Sequence, residues 1–355
     1  MARARDFGLI CGTLPTGPLN AITDVPGVAV GHRTLVAGDV RTGFTAVLPH
    51  GGDLFRDKLP AAVEVINGFG KSCGLIQVAE LGQIETPLLL GNTLAVGTGF
   101  EALARRALAA NPDIGRETGT VNPVVLECND GWLSDIRALA LTVDDAYAAL
   151  DAAAGGAVAE GAVGAGTGMS SFGFKGGIGT ASRVLTLDGR EHALGVLVLA
   201  NFGRAGDLVL PDGRRPEVPK LRRTDFAAAE APERGSVIIV LATDIPLESR
   251  QLKRIAKRCG AGLAKLGAFW GNGSGDIALA FSTAHRIAHH EAADLVARVV
   301  LNENRIDAAF RAAADATQEA VLNALLAAPK TLGRDGHMRP SLADVLGGPP
   351  SPNGV

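Results

Sequence analysis

The chain has 355 residues, 47% hydrophobic and 20% charged, so a large core is available and a disordered or coiled-coil class is excluded. With 34 Lys and Arg against 37 Asp and Glu, the net charge of −3 excludes a field that would grip a nucleic-acid backbone. Aromatics reach only 4% while glycines number 46, which shifts the working groups towards backbone turns and close backbone approaches.

The N-terminal residues carry charges and only a short apolar stretch before Gly12, which is not the h-region of a secretory signal. No run approaches the ~18 apolar residues of a membrane span. Cys11, Cys73, Cys128 and Cys259 form neither a C-x-x-C pair nor a metal-spaced cluster. The expectation is a cytoplasmic chain with buried free thiols, no metal, no cofactor, no nucleic acid and no membrane.

In chain order, Val28–His32 and Phe44–Pro49 read as short strands bounded by turn residues. Asn92 or Thr93 caps a helix that runs through Leu108 and ends at Asn111-Pro112. Val121–Glu127 and Leu194–Ala200 have strand length, and Val237–Ala242, the most β-branched run, reads as a buried central strand. Helical periodicity covers Leu247–Leu266 and Ala288–Leu326, interrupted around Asn302–Asn304. Residues 204–234, with four prolines and seven basic residues, read as an exposed loop leading into Gly235-Ser236.

That junction has two readings. Gly-Ser before a strand is a common turn; it is also the arrangement of an amino-terminal nucleophile made by self-cleavage. Attack of the Ser236 hydroxyl on the Gly235 carbonyl would give an ester, and its hydrolysis would free an α-amine. The reference pKa of such an amine, ~7.7–8.0, suits a general base for its own hydroxyl.

Within Trp270–Asp276, Ser274 and Asp276 would share a face if extended, giving a hydroxyl backed by a carboxylate, or simply a polar hairpin. Glu127 ends a strand where it could pair with a substrate ammonium, although Asn129-Asp130-Gly131 is also turn chemistry. Gly164–Met169 and Lys175–Gly179 fit neither phosphate-loop pattern. His285 and His289 are spaced for a metal, but without a glutamate after His285 a surface helix with His290 is preferred. His32 and His50 have no partners nearby in sequence.

Several stretches resemble one family in the right order: Leu14–Val28, Gly70–Leu75, Glu127–Gly131, Gly164–Met169, Phe174–Arg183, Gly235–Leu247, Gly273–Asp276 with Phe281–Thr283, and Gly333–Gly336. The chain resembles the self-processing serine aminopeptidases that include the L-aminopeptidase/D-amino-acid esterases and the β-peptidyl aminopeptidases. The resemblance implies one α/β domain, a four-layer αββα sandwich shared with ornithine acetyltransferases. It implies cleavage before Ser236 into an α chain (1–235) and a β chain (236–355), and homo-oligomers, tetramers of such αβ pairs.

By the same resemblance Ser236 is the nucleophile, Ser274 and Asp276 the hydroxyl–carboxylate pair beside it, Asn201 the oxyanion donor and Glu127 the partner of the substrate's free amine. Some relatives have a tyrosine near the oxyanion in the Glu127 segment, where this chain offers Asn129 and Trp132. Their pair also has glutamate in some cases where this chain has Asp276. The implied reaction is hydrolysis of amides or esters of unblocked amino acids, in short peptides, amino-acid amides or esters and β-peptides. Two rivals are an acyltransferase of the same fold, whose branch uses a threonine nucleophile, and an unprocessed ligand-binding scaffold.

Overall fold

Alternation of apolar residues along the strands decides how the layers stack. A computed structural model describes residues 2–219 and 235–349. The strands are β1 (Ala29–Ala37), β2 (Val40–Leu48), β3 (Asp57–Gly68), β4 (Gln83–Ile84), β5 (Leu88–Asn92), β6 (Val124–Cys128) and β7 (Ser170–Ser171). They continue with β8 (Phe174–Lys175), β9 (Gly177–Leu187), β10 (Arg190–Asn201), β11 (Ser236–Thr243), β12 (Gly275–Ser282) and β13 (Ile287–Ala288). The helices are α1 (Leu75–Leu81), α2 (Val96–Ala110), α3 (Val143–Asp151), α4 (Ser249–Ala264), α5 (Asp307–Leu326) and the single turn α6 (Leu342–Val345).

One sheet has the order β1-β2-β5-β6 and the other β13-β3-β12-β11-β10-β9, with β4 beside β3. Along β11, Val237, Ile239 and Leu241 enter the core shared with α4 and α5, whereas Ile238, Val240 and Ala242 enter the core between the sheets. Burial on both faces explains its unbroken apolar run. The outer face of the first sheet, with Phe44, Leu89 and Val125, packs on Ala102 and Leu103 of α2 and Ala146 and Leu150 of α3. The result is the expected αββα order, with β11 central.

The helix over Asn92–Asn111 is present one turn later than its cap suggests. Asn92 accepts from the N–H groups of Leu94 and Ala95, a short 3-10 turn follows, and α2 begins at Val96. The C-terminal helical stretch differs more. Ile287 and Ala288 pair with β3, and no helix forms until Asp307 apart from a 3-10 turn at Glu303–Arg305. The intervening strap is pinned by His289 N–H on Arg56 O (2.7 Å) and Leu301 N–H on Pro246 O (2.8 Å). Its apolar side finds nothing to cover, leaving Leu295 92% exposed, and a short helix without a buried face is marginal.

His285, His289 and His290 are therefore not on a helix; His289 lies between Lys58 Nζ (2.8 Å) and Thr118 Oγ1 (2.7 Å). His32 finds a partner on the next strand, Thr45 Oγ1, whereas His50 corrects the expectation, since its partners are close in sequence: Gly52 N–H, two residues on, and Asp57 O, seven residues on. The long loop corrects a further expectation. Residues 204–219 lack helix and strand, but Leu208 and Leu210 are buried because their side chains complete the core under α4 and α5. The rest of that loop, 220–234, lies outside the described residues.

All four cysteines are free; Cys73 is half-buried and the others are buried. Burial pushes the Cys11 and Cys259 thiols up to about 12, so neither is poised as a nucleophile. Among the described residues no helix is long and apolar enough to cross a membrane.

Candidate active site

Ser236 opens β11, and sheet register sets its neighbours. It is aligned with Asn201 across the antiparallel β10 and with Gly275 across the parallel β12. The Gly235 carbonyl accepts the Ser236 hydroxyl at 2.7 Å and the Gly275 N–H at 3.2 Å. A carbonyl so placed is polarised by one donor while the nearest hydroxyl belongs to the next residue. Glycine at 235 is a packing requirement: a Cβ there would stand 2.6 Å from Phe202 Cα and 2.8 Å from Asn201 O.

Gly275 is flanked by Ser274 and Asp276. The Ser274 hydroxyl donates to Asp276 Oδ1 at 2.7 Å, and the two side chains are buried. The turn before them is fastened by Ser274 N–H on Gly271 O (2.9 Å) and by the Asn67 amide, which donates to the carbonyls of Gly271 and Ser274. The two-residue spacing thus produces the hydroxyl–carboxylate pair and fixes it in a dry environment, where such dipoles act strongly.

Glu127 lies in β6, 2% exposed. Its Oε1 accepts the Lys71 N–H at 2.7 Å, and its Oε2 accepts the Thr93 hydroxyl. The segment carrying Lys71 touches the Ser236 strand pair directly, since a Cβ on Gly275 would stand 2.9 Å from Gly70 Cα. A buried carboxylate oriented by two donors beside this backbone contact suits capture of an ammonium group.

The Asn201 amide is oriented at both ends: Oδ1 accepts the Ser170 N–H at 2.9 Å, and Nδ2 donates to Asn129 O at 3.0 Å. The Asn129 side chain accepts the Gly131 N–H at 2.8 Å, so what reaches Asn201 is the Asn129 carbonyl. The Trp132 indole is stacked on His337 at 4.1 Å and 7°, with the Arg339 guanidinium 4.6 Å from the ring centre. The structure thus gathers Ser236, Asn201, Ser274, Asp276 and Glu127 about the Gly70–Gly275 contact, while the Trp132 ring is engaged by the C-terminal segment.

Sequence reasoning missed the Gly275, Lys71 and Ser170 N–H groups and the Thr93 hydroxyl. The Gly70-Lys-Ser-Cys and Gly273-Ser-Gly-Asp stretches were visible, but their contribution is partly backbone, which residue types do not reveal. Thr93 was one of two candidate caps; Asn92 takes that role and leaves the Thr93 hydroxyl to Glu127.

Residues 20–339 match peptidase family S58. A β-peptidyl aminopeptidase, BapA, of Sphingosinicella microcystinivorans is 40% identical over 354 residues, which cover 94% of this chain and 88% of the relative. A β-aminopeptidase of a Burkholderia species superposes with a TM-score of 0.86 at 38% identity, covering 98% of each chain. The L-aminopeptidase D-Ala-esterase/amidase of Ochrobactrum anthropi, described as a variant of the Ntn-hydrolase fold, superposes with a TM-score of 0.87 at 37% identity, again covering 98% of each chain. With nearly the whole chain covered by these likenesses, the protein belongs to peptidase family S58 and is an aminopeptidase of the N-terminal-nucleophile type.

Proposed function

We propose that the chain cleaves itself between Gly235 and Ser236 and then hydrolyses amides or esters of unblocked amino acids through a Ser236 acyl-enzyme. The observation that carries this reading is the Gly235 carbonyl, held by the Gly275 N–H with the Ser236 hydroxyl 2.7 Å from its oxygen. In self-cleavage Oγ attacks the Gly235 carbonyl carbon, the C–N bond breaks, and the proton of the hydroxyl ends on the departing amine. Water then hydrolyses the ester, leaving a Gly235 carboxylate and a free Ser236 amine and hydroxyl.

In turnover that amine takes the proton of its own hydroxyl as Oγ attacks the substrate carbonyl, then returns it to the leaving group. Ser274 and Asp276 orient the amine. Asn201 Nδ2 donates to the developing oxyanion, a contribution of ~10²–10³ in rate for a single donor. Glu127 pairs with the substrate's ammonium, so a blocked amine is rejected. Asn129 and Trp132 complete the substrate side, the first through its carbonyl on Asn201 and the second as part of the loop that carries it.

Short peptides, amino-acid amides and esters, and β-amino-acid peptides are the substrate classes of this reading. Support for the last comes from the β-peptidyl aminopeptidase likeness. A tetramer of αβ pairs and a cytoplasmic location belong to the same reading, the latter consistent with four free thiols. The test is intact mass under denaturing conditions with N-terminal sequencing. The native chain gives a fragment beginning Ser-Val-Ile-Ile, and Ser236→Ala stays whole and inactive; a Ser236→Ala chain still cut after residue 235 overturns the self-cleavage account.

A further inference from the structure

Asn201 is gripped by two segments distant in sequence, and the grip decides which end of its amide faces which way. Ser170 N–H can only bond the oxygen, so the nitrogen is directed towards Asn129. Ser170 pairs with Lys175 in the β7–β8 hairpin, which follows the turn Gly164–Gly168. The Lys175 side chain is wholly buried, and its Nζ donates to Gly166 O at 2.8 Å and Gly176 O at 2.7 Å. It thereby ties the turn before Ser170 to the backbone after the hairpin.

The other segment holds a matching charge. Asp130 follows Asn129 and is fully buried, and a Cβ on Gly168 would stand 2.8 Å from Asp130 Cβ, so the acid packs on the turn that Lys175 clasps. Thr42 and Asn92 lie beside its carboxylate, but neither meets full hydrogen-bond geometry. Burial raises the Asp130 carboxyl and lowers the Lys175 ammonium, and each charge opposes that effect on the other. A buried ammonium and a buried carboxylate are each costly alone and tolerable together.

We propose that Lys175 and Asp130 are positioning residues for Asn201: two buried, oppositely charged side chains set against the same Gly164–Gly168 turn, Lys175 through Gly166 O and Asp130 through Gly168, which together hold the Ser170-bearing hairpin and the Asn129-bearing loop in place and so set the direction of Asn201 Nδ2. This rests on the reading of Asn201 as the oxyanion donor. The couple touches neither substrate nor reacting atoms; it acts through the two bonds on the Asn201 amide.

The experiment is a double-mutant cycle on processed enzyme, with rates normalised to the amount of β chain found by intact mass. Lys175→Met and Asp130→Asn are each expected to lower kcat ~10–100-fold with KM within about twofold, as loss of a transition-state interaction requires. In an Asn201→Ala background neither should lower kcat further. Lys175→Met/Asp130→Asn should exceed either single variant, because removing both charges leaves no unpaired one; a packing defect alone would make it the worst.

Full additivity with Asn201→Ala, or unchanged kcat in the single variants, overturns the inference. Asp130→Asn carries the test if Lys175→Met does not fold. An Asn201→Ala enzyme with native kcat would instead sink the underlying reading of Asn201, an outcome distinct from additivity.

Discussion

On one side of the site, Ser236, Gly275 and the Ser274–Asp276 pair are placed by the register of two neighbouring core strands. On the other, Glu127 and Asn201 are oriented by hydrogen bonds with Lys71, Thr93, Ser170 and Asn129, segments far away in sequence. The strand side is rigid because every β11 residue is buried and paired on both edges. The loop side depends on contacts that can be changed singly. Bond making should therefore fail abruptly when the strand side is altered, whereas substrate capture by Glu127 and oxyanion stabilisation by Asn201 should each fail by degrees when the loop side is.

The largest effect that tests this division is expected at Gly235. Gly235→Ala puts a methyl 2.6 Å from Phe202 Cα, a backbone atom that cannot swing away. Displacing the carbonyl from Gly275 N–H and Ser236 Oγ should slow processing by ~100-fold or more, since small misplacements of reacting groups cost that much. The decay of uncut chain followed by denaturing mass spectrometry measures it. Native-rate processing of Gly235→Ala would show that the tight junction does not hold the reacting groups.

A smaller, differently distributed effect is expected on the loop side. Glu127→Gln keeps the shape and loses the charge, and should reduce kcat/KM ~10–100-fold, mainly through KM, as loss of a charge-assisted bond would. Processing should run at the native rate, because no ammonium is bound in that step. A parallel loss of processing in Glu127→Gln would erase the distinction between the two sides.

The smallest effect is on stability and concerns the turn Gly164–Gly168, which precedes the Ser170-bearing hairpin. His32 is paired with Thr45 Oγ1, which also accepts the Ala165 N–H, and burial lowers its pKa to about 4 from the ordinary 6.5. Between those values the unfolded chain binds the extra proton, so stability falls as pH drops from 6.5 to about 4, by about 3 kcal/mol in all. Urea unfolding across this range should show the loss, and His32→Gln should flatten it. An unchanged slope in His32→Gln would assign the acid sensitivity elsewhere.

β1, β2, β6, β10 and β11 are legible in part as apolar runs bounded by turn residues, whereas β3, β5, β9 and β12 are not, because their residues acquire a buried face only from the neighbouring strands. β11 announced itself by an unbroken β-branched run, and the αββα order followed from the resemblance. The stretch from His289 to Leu301 was misread as helix because its periodicity is real but has no surface to cover. Leu208 and Leu210 were assigned to an exposed loop because prolines and charges surround them, whereas their own side chains reach the core. Ser274 and Asp276 could be paired from spacing alone, since residues two apart in an extended segment share a face. The Lys175–Gly179 stretch stands out as a possible phosphate loop, but the structural role of the Lys175 side chain does not, since its partners are backbone carbonyls.

The sequence by itself determined the central strand, the Gly235-Ser236 junction, the order of motifs and the carboxylate–hydroxyl pair, all properties of residues close together in the chain. Only the tertiary structure decided that Gly275 N–H meets the Gly235 carbonyl, that Asn201 is aimed by Ser170 and Asn129, and that Glu127 is oriented by Lys71 and Thr93. The physical reason is the range of the forces. Propensity, alternation and turn chemistry act between neighbours, whereas burial and cross-chain hydrogen bonds exist only once surfaces distant in sequence have met.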